Sequence, residues 1–389
     1  MARITSILDN DLYKFTQQQA VVSLYPNVKV EYKFSNRDLN MKFNQKAFDG
    51  IQEDLANMKD LSISTEEINR LVKVCPFFTA SYIEYLKNYR FDPNELKLEL
   101  NNGNLDITIS GHWHKTILWE VPCLSIISEN YFKYVDTNWD YTNQKNKVKT
   151  MGSKLSHAGC IYADFGTRRR RNFQSQERVV ETFKDYKGFV GTSNVYLAIK
   201  NNVKPIGTMA HEFIMAHQVL GGIRHCNRYA LKAWNRIYNG DLGIALPDTL
   251  GLNLFLNDFD GVLARLFDGV RHDSGCPFEF GEKIINHYDK LQINPTSKTI
   301  VFSDGLDVDS AIEINKYFNN KINICFGIGT NFTNNFDNSP AMKIVIKLWS
   351  VNGVPVVKLP DSIGKCMGDR DMLRIARHIT SGTPLDQDF

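Results

Sequence analysis

From about residue 160 onward the sequence repeats one pattern in kind: a short apolar run, a small polar cluster, then a helical stretch. The runs end in Asp164-Phe165-Gly166-Thr167-Arg168, Gly191-Thr192-Ser193-Asn194, Gly207-Thr208-Met209-Ala210-His211, Leu246-Pro247-Asp248-Thr249, Arg271-His272-Asp273-Ser274-Gly275, Ser303-Asp304-Gly305 and Gly327-Ile328-Gly329-Thr330. Seven consecutive units with no hairpin turn between them point to parallel strands, since parallel neighbours require helical crossovers. Enough such units can close into a barrel, whose chemistry sits at the C-terminal strand ends. The polar clusters fall at those ends.

The first 120 residues read differently. Asp9-Asn10-Asp11 precedes an apolar-periodic run from Leu12 to Leu24, which predicts a capped helix. Val28 to Phe34 alternates as a strand does, and Thr65 to Val72 and Ser81 to Asn88 suggest helices. Glu95 to Ser110 alternates around Gly103, a hairpin signal. One long helical region is expected over 126–157. Strand signals follow at Ile344 to Leu348 and Val354 to Leu359, with a last helix near Arg370 to Ile379. At 389 residues the chain has room for two or three domains, or a barrel with an attached one.

Composition narrows the function classes. Lys and Arg number 46 against 43 Asp and Glu, a formal net charge of +3. This argues against a dedicated binder of nucleic acid or acidic membrane. No apolar run reaches the ~18 residues of a membrane helix, and Asp9, Asn10 and Asp11 stand where a signal peptide needs an apolar stretch. The seven cysteines (Cys75, Cys123, Cys160, Cys226, Cys276, Cys325 and Cys366) form no C-x-x-C pair and read as reduced thiols of a cytoplasmic protein.

The clusters suggest an anion site, each with a plainer alternative. Asp304, Gly305, Gly327, Gly329 and Thr330 end the last two runs, where barrels often cradle phosphate on backbone N–H groups; ordinary turns, with Asp304 or Asp307 capping a helix over 311–317, would look similar. Gly327-Ile328-Gly329 lacks the third glycine of a dinucleotide fingerprint, and no P-loop is present. Asp304, Asp307 and Asp309 fail the calcium-loop pattern. His211 and His217 are six residues apart, about 240° around a helix, too divergent for a zinc pair. His211 alone could be structural, but Asp248 at the next run end would fix its tautomer and make it a better base or nucleophile. His112 and His114 share one face of a possible strand, with no second ligand pair nearby. Arg168 to Arg171 is the one dense basic run; arginines in a first helical turn oppose the macrodipole, which suggests a local anion to neutralise. Arg271 and Asp273 suit an anionic group and vicinal ribose hydroxyls, or simply each other.

Taken in order, these clusters resemble nicotinate phosphoribosyltransferase. The resemblance runs from Asp11-Leu12-Tyr13-Lys14-Phe15-Thr16 and Tyr32-Lys33-Phe34-Ser35-Asn36-Arg37 through the strand-end motifs above to Gly327-Ile328-Gly329-Thr330. It implies a type II phosphoribosyltransferase fold, an incomplete parallel α/β barrel over 126–349 with an additional α/β domain made from residues 1–125 and the tail from about 350 to 389. It implies a cytoplasmic homodimer with shared active sites, and a reaction that joins nicotinate to phosphoribosyl diphosphate, driven by ATP through a phosphohistidine, with Mg²⁺ screening the diphosphate. Carried onto this chain, His211 is the phosphorylated residue and Asp248 its orienting carboxylate. Phe165 offers one aromatic face to the pyridine ring, and Tyr13 the other from the partner subunit. Arg168 and Arg271 meet base and phosphate, Asp273 the ribose hydroxyls, and the loops at Gly305 and Gly329 the phosphate. Gln17 and Asn335 depart from the pattern, where a Met and an acid are common.

The nicotinamide-specific relative is the runner-up; it has an Asp at the place of Ser193, which would repel a carboxylate, so Ser193 points to the acid. A non-enzymatic anion or RNA binder using the arginine run is the alternative from another class, disfavoured by the near-neutral charge and the lack of a mixed aromatic and basic RNA signature. Metal ligands are left open, because Mg²⁺ is often held largely by substrate oxygens and water.

Overall fold

The computed structural model describes residues 4–38, 40–361 and 366–381. They build two sheets. The first is antiparallel: β1 (Lys29–Asn36), β2 (Leu96–Asn101), β3 (Asn104–His112), β10 (Ile344–Val351) and β11 (Val354–Pro355), in the order β11-β10-β1-β3-β2. Strands β2 and β3 form the expected hairpin. Asn102 and Gly103 both take positive φ (51° and 79°), the pair a two-residue type I′ turn requires. The tail joins this sheet through β10, which runs antiparallel to β1 from Val351 opposite Val30 to Ile344 opposite Asn36. The expected boundary near residue 350 thus falls inside β10.

The second sheet is parallel throughout, with β4 (Tyr162–Asp164), β5 (Phe189–Thr192), β6 (Ile244–Ala245), β7 (Gly269–His272), β8 (Thr299–Phe302) and β9 (Asn323–Ile328) in the order β5-β4-β9-β8-β7-β6. Six of the seven expected runs are strands. The third, ending at Gly207, is not: Pro205 offers no N–H to a ladder, and the segment makes a single bridge, Pro205 to Thr192. It still occupies the space between the edge strands. Ile206 N–H donates to the Thr192 carbonyl (2.9 Å), and Thr208 Oγ1 donates to the Ile244 carbonyl (3.1 Å). This close approach requires Gly191, since a Cβ there would lie 1.9 Å from the Lys204 carbonyl oxygen.

Two helix readings change. The long helical region is two helices, Glu120–Tyr134 and Gln144–His157. The chain breaks between them where the Trp139 indole donates back to the Phe132 carbonyl (2.9 Å). The helix Leu12–Leu24 is present, but Asp11 at its N-cap makes no capping hydrogen bond. That helix is buried from Leu12 to Val21, polar residues included, packed against the helix Cys226–Tyr238 and the helical turns over Trp113–Thr116 and Ile117–Trp119. Two of its three buried glutamines are satisfied: Gln18 by the His114 carbonyl (2.8 Å) and Tyr82 hydroxyl (2.7 Å), Gln19 by the Phe77 carbonyl (3.1 Å) and Thr79 N–H (2.7 Å). Among the described residues no helix is long and apolar enough to cross a membrane.

Candidate active site

The C-terminal ends of the parallel strands open into three adjoining cavities of about 430, 610 and 1,390 Å³, all bordered by Arg168 and Arg271. The smallest holds His211 and Asp273, the next Phe165, Tyr13 and Ser193, and the largest Gly305, Gly327, Gly329 and Thr330.

His211 begins the helix His211–His217, and Asp248 follows β6. The imidazole Nε2 lies 2.7 Å from Asp248 Oδ1 and 3.5 Å from Asp273 Oδ2. Asp248 Oδ2 accepts from Ser274 Oγ (2.9 Å) and pairs with the Lys358 ammonium (3.1 Å). Burial opposes the charge on Asp248, but the histidine, Lys358 and the hydrogen bonds hold its carboxyl well below the usual range. Burial brings His211 down to about 4, against the pull of Asp248. The imidazole is therefore neutral near pH 7 beside an ionised carboxylate. An ionised carboxylate only accepts, so the proton sits on Nε2 and the lone pair on Nδ1. Asp273 Oδ1 accepts from Ser303 Oγ (3.0 Å), and Oδ2 lies 3.9 Å from Arg271.

In the middle cavity, Phe165 owes its place to two glycines. A Cβ on Gly327 would come 2.3 Å from the Phe165 ring, and one on Gly329 2.8 Å from its carbonyl oxygen. Gly327, expected only as a phosphate contact, thus seats an aromatic ring. Tyr13 requires a correction. It lines the same chain's cavity together with Phe165 and Ser193, with the Arg168 guanidinium 5.9 Å from its ring, the place the resemblance gave to a partner subunit's tyrosine. The reason lies in the backbone: Leu12 N–H donates to the Ser193 carbonyl (2.8 Å) and Val195 N–H to the Asn10 carbonyl (3.0 Å), docking the N-terminal segment beside its own parallel sheet. The Ser193 hydroxyl donates to Asp11 Oδ1 (2.7 Å). The would-be cap is thus a buried acid of the pocket, its carboxyl raised by burial against the pull of Arg168 and Ser193.

Around the largest cavity, Gly305 takes φ +60°, and Gly329 caps the short helix Thr330–Thr333. Ser303, Gly305 and Asp307 line it while Asp304 does not; Asp307 caps its helix by accepting from Ser310 N–H (2.8 Å). The arginine run splits. Arg168 and Arg169 border the cavity. Arg170 is buried against Asp9 (2.7 Å) and Glu129 (2.9 Å), and Arg171 lies 3.5 Å from the Phe132 ring centroid while bonding Ser339. Two of the four hold the fold rather than an anion. Of the departures, Gln17 bonds the Tyr13 carbonyl (3.1 Å) and Asn335 borders the cavity.

The sequence reading missed Lys358 and a buried charge cluster under the site. Lys14 contacts both Glu212 and Glu120 (2.6 Å to the latter), and Glu120 also holds Arg168 (3.3 Å). Lys14 and Glu212 each adjoin a residue singled out above, at 13 and 211; Lys358 lies in a strand signal with no polar motif around it.

Comparison with known proteins identifies the family. The model described as "Nicotinate phosphoribosyltransferase (NAPRTase) family" matches residues 160–381, and that of the family's N-terminal domain matches residues 8–128. A nicotinate phosphoribosyltransferase of Methanococcoides burtonii is 44% identical over 99% of this chain and 100% of its own, and one of Desulforapulum autotrophicum 46% over 95% and 97%. The crystal structure of nicotinate phosphoribosyltransferase from Porphyromonas gingivalis superposes with a TM-score of 0.93 at 34% identity, over 96% of this chain and 99% of that one.

Proposed function

The chain belongs to the nicotinate phosphoribosyltransferase family, and from that premise we propose that it transfers the phosphoribosyl group of phosphoribosyl diphosphate to nicotinate, in NAD biosynthesis, with ATP hydrolysis coupled through His211. The observation that carries the coupling is the His211–Asp248 contact beside a cavity shared with Arg271 and Asp273. Neutral His211 presents its Nδ1 lone pair. It takes the γ-phosphoryl group as the bond to the ADP oxygen breaks, and the electron pair leaves on ADP. Asp248 stabilises the imidazolium character that builds. Water later cleaves the N–P bond and returns phosphate.

In the transfer itself the C1–O bond to diphosphate breaks as the pyridine nitrogen bonds C1. Positive charge builds on the ribose and negative charge on the departing diphosphate. Asp273 faces the first; Arg169, Arg271 and the N–H groups at Gly305 and Gly329 suit the second. Phe165 and Tyr13 hold the flat base, with offset stacking of order 1 kcal/mol per face.

Mg²⁺ fits here only in part. His211, Asp248 and Asp273 offer ligand atoms within 4.8 Å of one another. Yet Nε2 donates to Asp248, and Asp248 already carries Ser274 and Lys358. Asp273 is the carboxylate left to share a Mg²⁺ with substrate oxygens and water, where the ion would screen the diphosphate charge. The same reading makes the protein a cytoplasmic homodimer with shared active sites, while Tyr13 lines the cavity of its own chain.

The test is a coupled assay for diphosphate release with nicotinate, phosphoribosyl diphosphate and ATP, each omitted in turn. Release that follows nicotinamide rather than nicotinate would favour the amide enzyme. His211→Asn should remove acid-labile label from γ-labelled ATP and abolish ATP stimulation, leaving a slow transferase; label at the wild-type level would exclude His211 as acceptor.

A further inference from the structure

The cavity beside His211 takes one wall from the other sheet: Ile346, Lys347 and Leu348 of β10 line it together with His211, Arg271 and Asp273. Lys347 is costly at that position. In the β1–β10 register it stands directly across from Lys33, and like charges so placed destabilise a sheet. Lys33 finds relief over the Trp349 ring, 4.0 Å from its centroid, and 3.7 Å from Glu31. Lys347 does not. Among the described residues its ammonium makes no ion pair within 4.0 Å. The acids whose fields reach it are bound elsewhere, Glu120 by Lys14 and Arg168, and Asp273 by Ser303 with Arg271 at 3.9 Å. Burial, with Lys358 and Arg168 adding like charge, lowers the ammonium to about 8. A half-buried cation without a counter-ion is best explained by an anion that arrives with a ligand.

Resting on the phosphoryl chemistry above, we propose that Lys347 is the counter-ion of a phosphoryl group bound beside His211, so that the antiparallel sheet contributes a charge to a site otherwise built on the parallel one. The phosphoryl group has two sources, the nucleoside triphosphate and the diphosphate of the ribose donor, and the test separates them.

ATP and inorganic diphosphate, each with Mg²⁺, are titrated calorimetrically into the wild-type protein and into Lys347→Gln and Lys347→Arg. Lys347→Gln should raise the dissociation constant of at least one probe roughly tenfold or more, the scale of a lost charge-assisted contact, and Lys347→Arg should restore it to within about threefold. Weakening of ATP alone assigns the nucleotide, and of diphosphate alone the ribose donor. Both constants unmoved in Lys347→Gln would overturn the proposal. The wild-type protein gives a second measurement free of folding effects: acylation of Lys347 near pH 8, followed by peptide mapping, should slow when ATP or diphosphate saturates the site. No protection by either probe overturns the proposal as well. Absence of diphosphate release from nicotinate and the ribose donor would instead sink the assigned reaction, and it is read in a separate assay from this binding.

Discussion

Ser193 and Asp11 share one hydrogen bond, and that bond governs what either offers a substrate. The Ser193 hydroxyl donates to Asp11 Oδ1 at 2.7 Å, so its lone pairs, not its proton, face the pocket while Asp11 is ionised. The pocket's discrimination between acid and amide therefore belongs to the pair rather than to Ser193 alone. Ser193→Asp would set a second carboxylate against a buried first one whose charge Arg168 already offsets. The preference for nicotinate over nicotinamide should fall roughly tenfold or more in competition kinetics; an unchanged ratio would mean that neither residue reads the carboxylate. Gly327 makes a second test at this scale. Gly327→Ala drives a Cβ to within 2.3 Å of the Phe165 ring. The ring must leave its place, and KM for nicotinate should rise several-fold while KM for phosphoribosyl diphosphate changes little. Equal rises would place the damage in the phosphate loop instead. Neither Asp11's partner nor Gly327's second duty was legible in the sequence, because both depend on contacts across 182 and 162 residues of chain that no local spacing encodes.

Among the elements, the helix His211–His217 ties the site to the rest of the molecule. It opens with the proposed phosphoryl acceptor and runs directly into a π-helical turn, Gln218–Gly222, a form that often marks functional positions. There the Gln218 side chain mimics a strand neighbour: Nε2 donates to the Val357 carbonyl (2.6 Å), and Oε1 accepts from Val357 N–H (3.0 Å). Val357 precedes the Lys358 that pairs with Asp248, so one helix positions both ends of the charge array. His217 is buried in that helix between the Tyr25 hydroxyl (2.8 Å) and the Phe213 carbonyl (2.6 Å), and burial holds it down to about 4. An unfolded histidine titrates near 6.5. Between these values the unfolded chain binds the extra proton, so stability from this group is complete above about 6.5 and declines as pH falls toward 4, by at most about 3 kcal/mol. His217→Gln should flatten the urea-unfolding free energy across that window relative to wild type; a parallel pH profile in the variant would show that His217 is already charged in the fold. The strand–helix alternation was readable because each apolar run and polar cluster is local. The break at 135–143 and the loss of the third strand were passed over although their causes are local, an indole that bonds seven residues back and a proline inside its own run.

At the scale of the whole molecule, two sheets of opposite type meet around one site, and each lends it side chains: β10 supplies Lys347, the segment after β11 supplies Lys358, and the parallel strands supply Phe165, Arg271 and Asp273. The family resemblance covers both halves and anticipated most of these residues, but it assigned Tyr13 to the neighbouring subunit. Here the helix Leu12–Leu24 is buried within its own chain, with Asp11 bridged to Asn194 and the Tyr238 hydroxyl donating to the Thr16 carbonyl (2.5 Å). To move Tyr13 to another subunit, all of those contacts would have to break. The two arrangements give opposite results in a mixing experiment. Tyr13→Ala and Asp273→Ala homodimers should each be nearly inactive. If every site is built from one chain, a mixed dimer carries one lesion in each of its two sites, and exchange of subunits restores nothing. If Tyr13 crossed the interface, the mixed dimer would hold one doubly damaged and one intact site, and random exchange would return about a quarter of wild-type activity per subunit. The intrachain contacts predict no recovery, with exchange confirmed by mass-tagged chains. A return to about one quarter would show that the N-terminal helix swaps between subunits in solution.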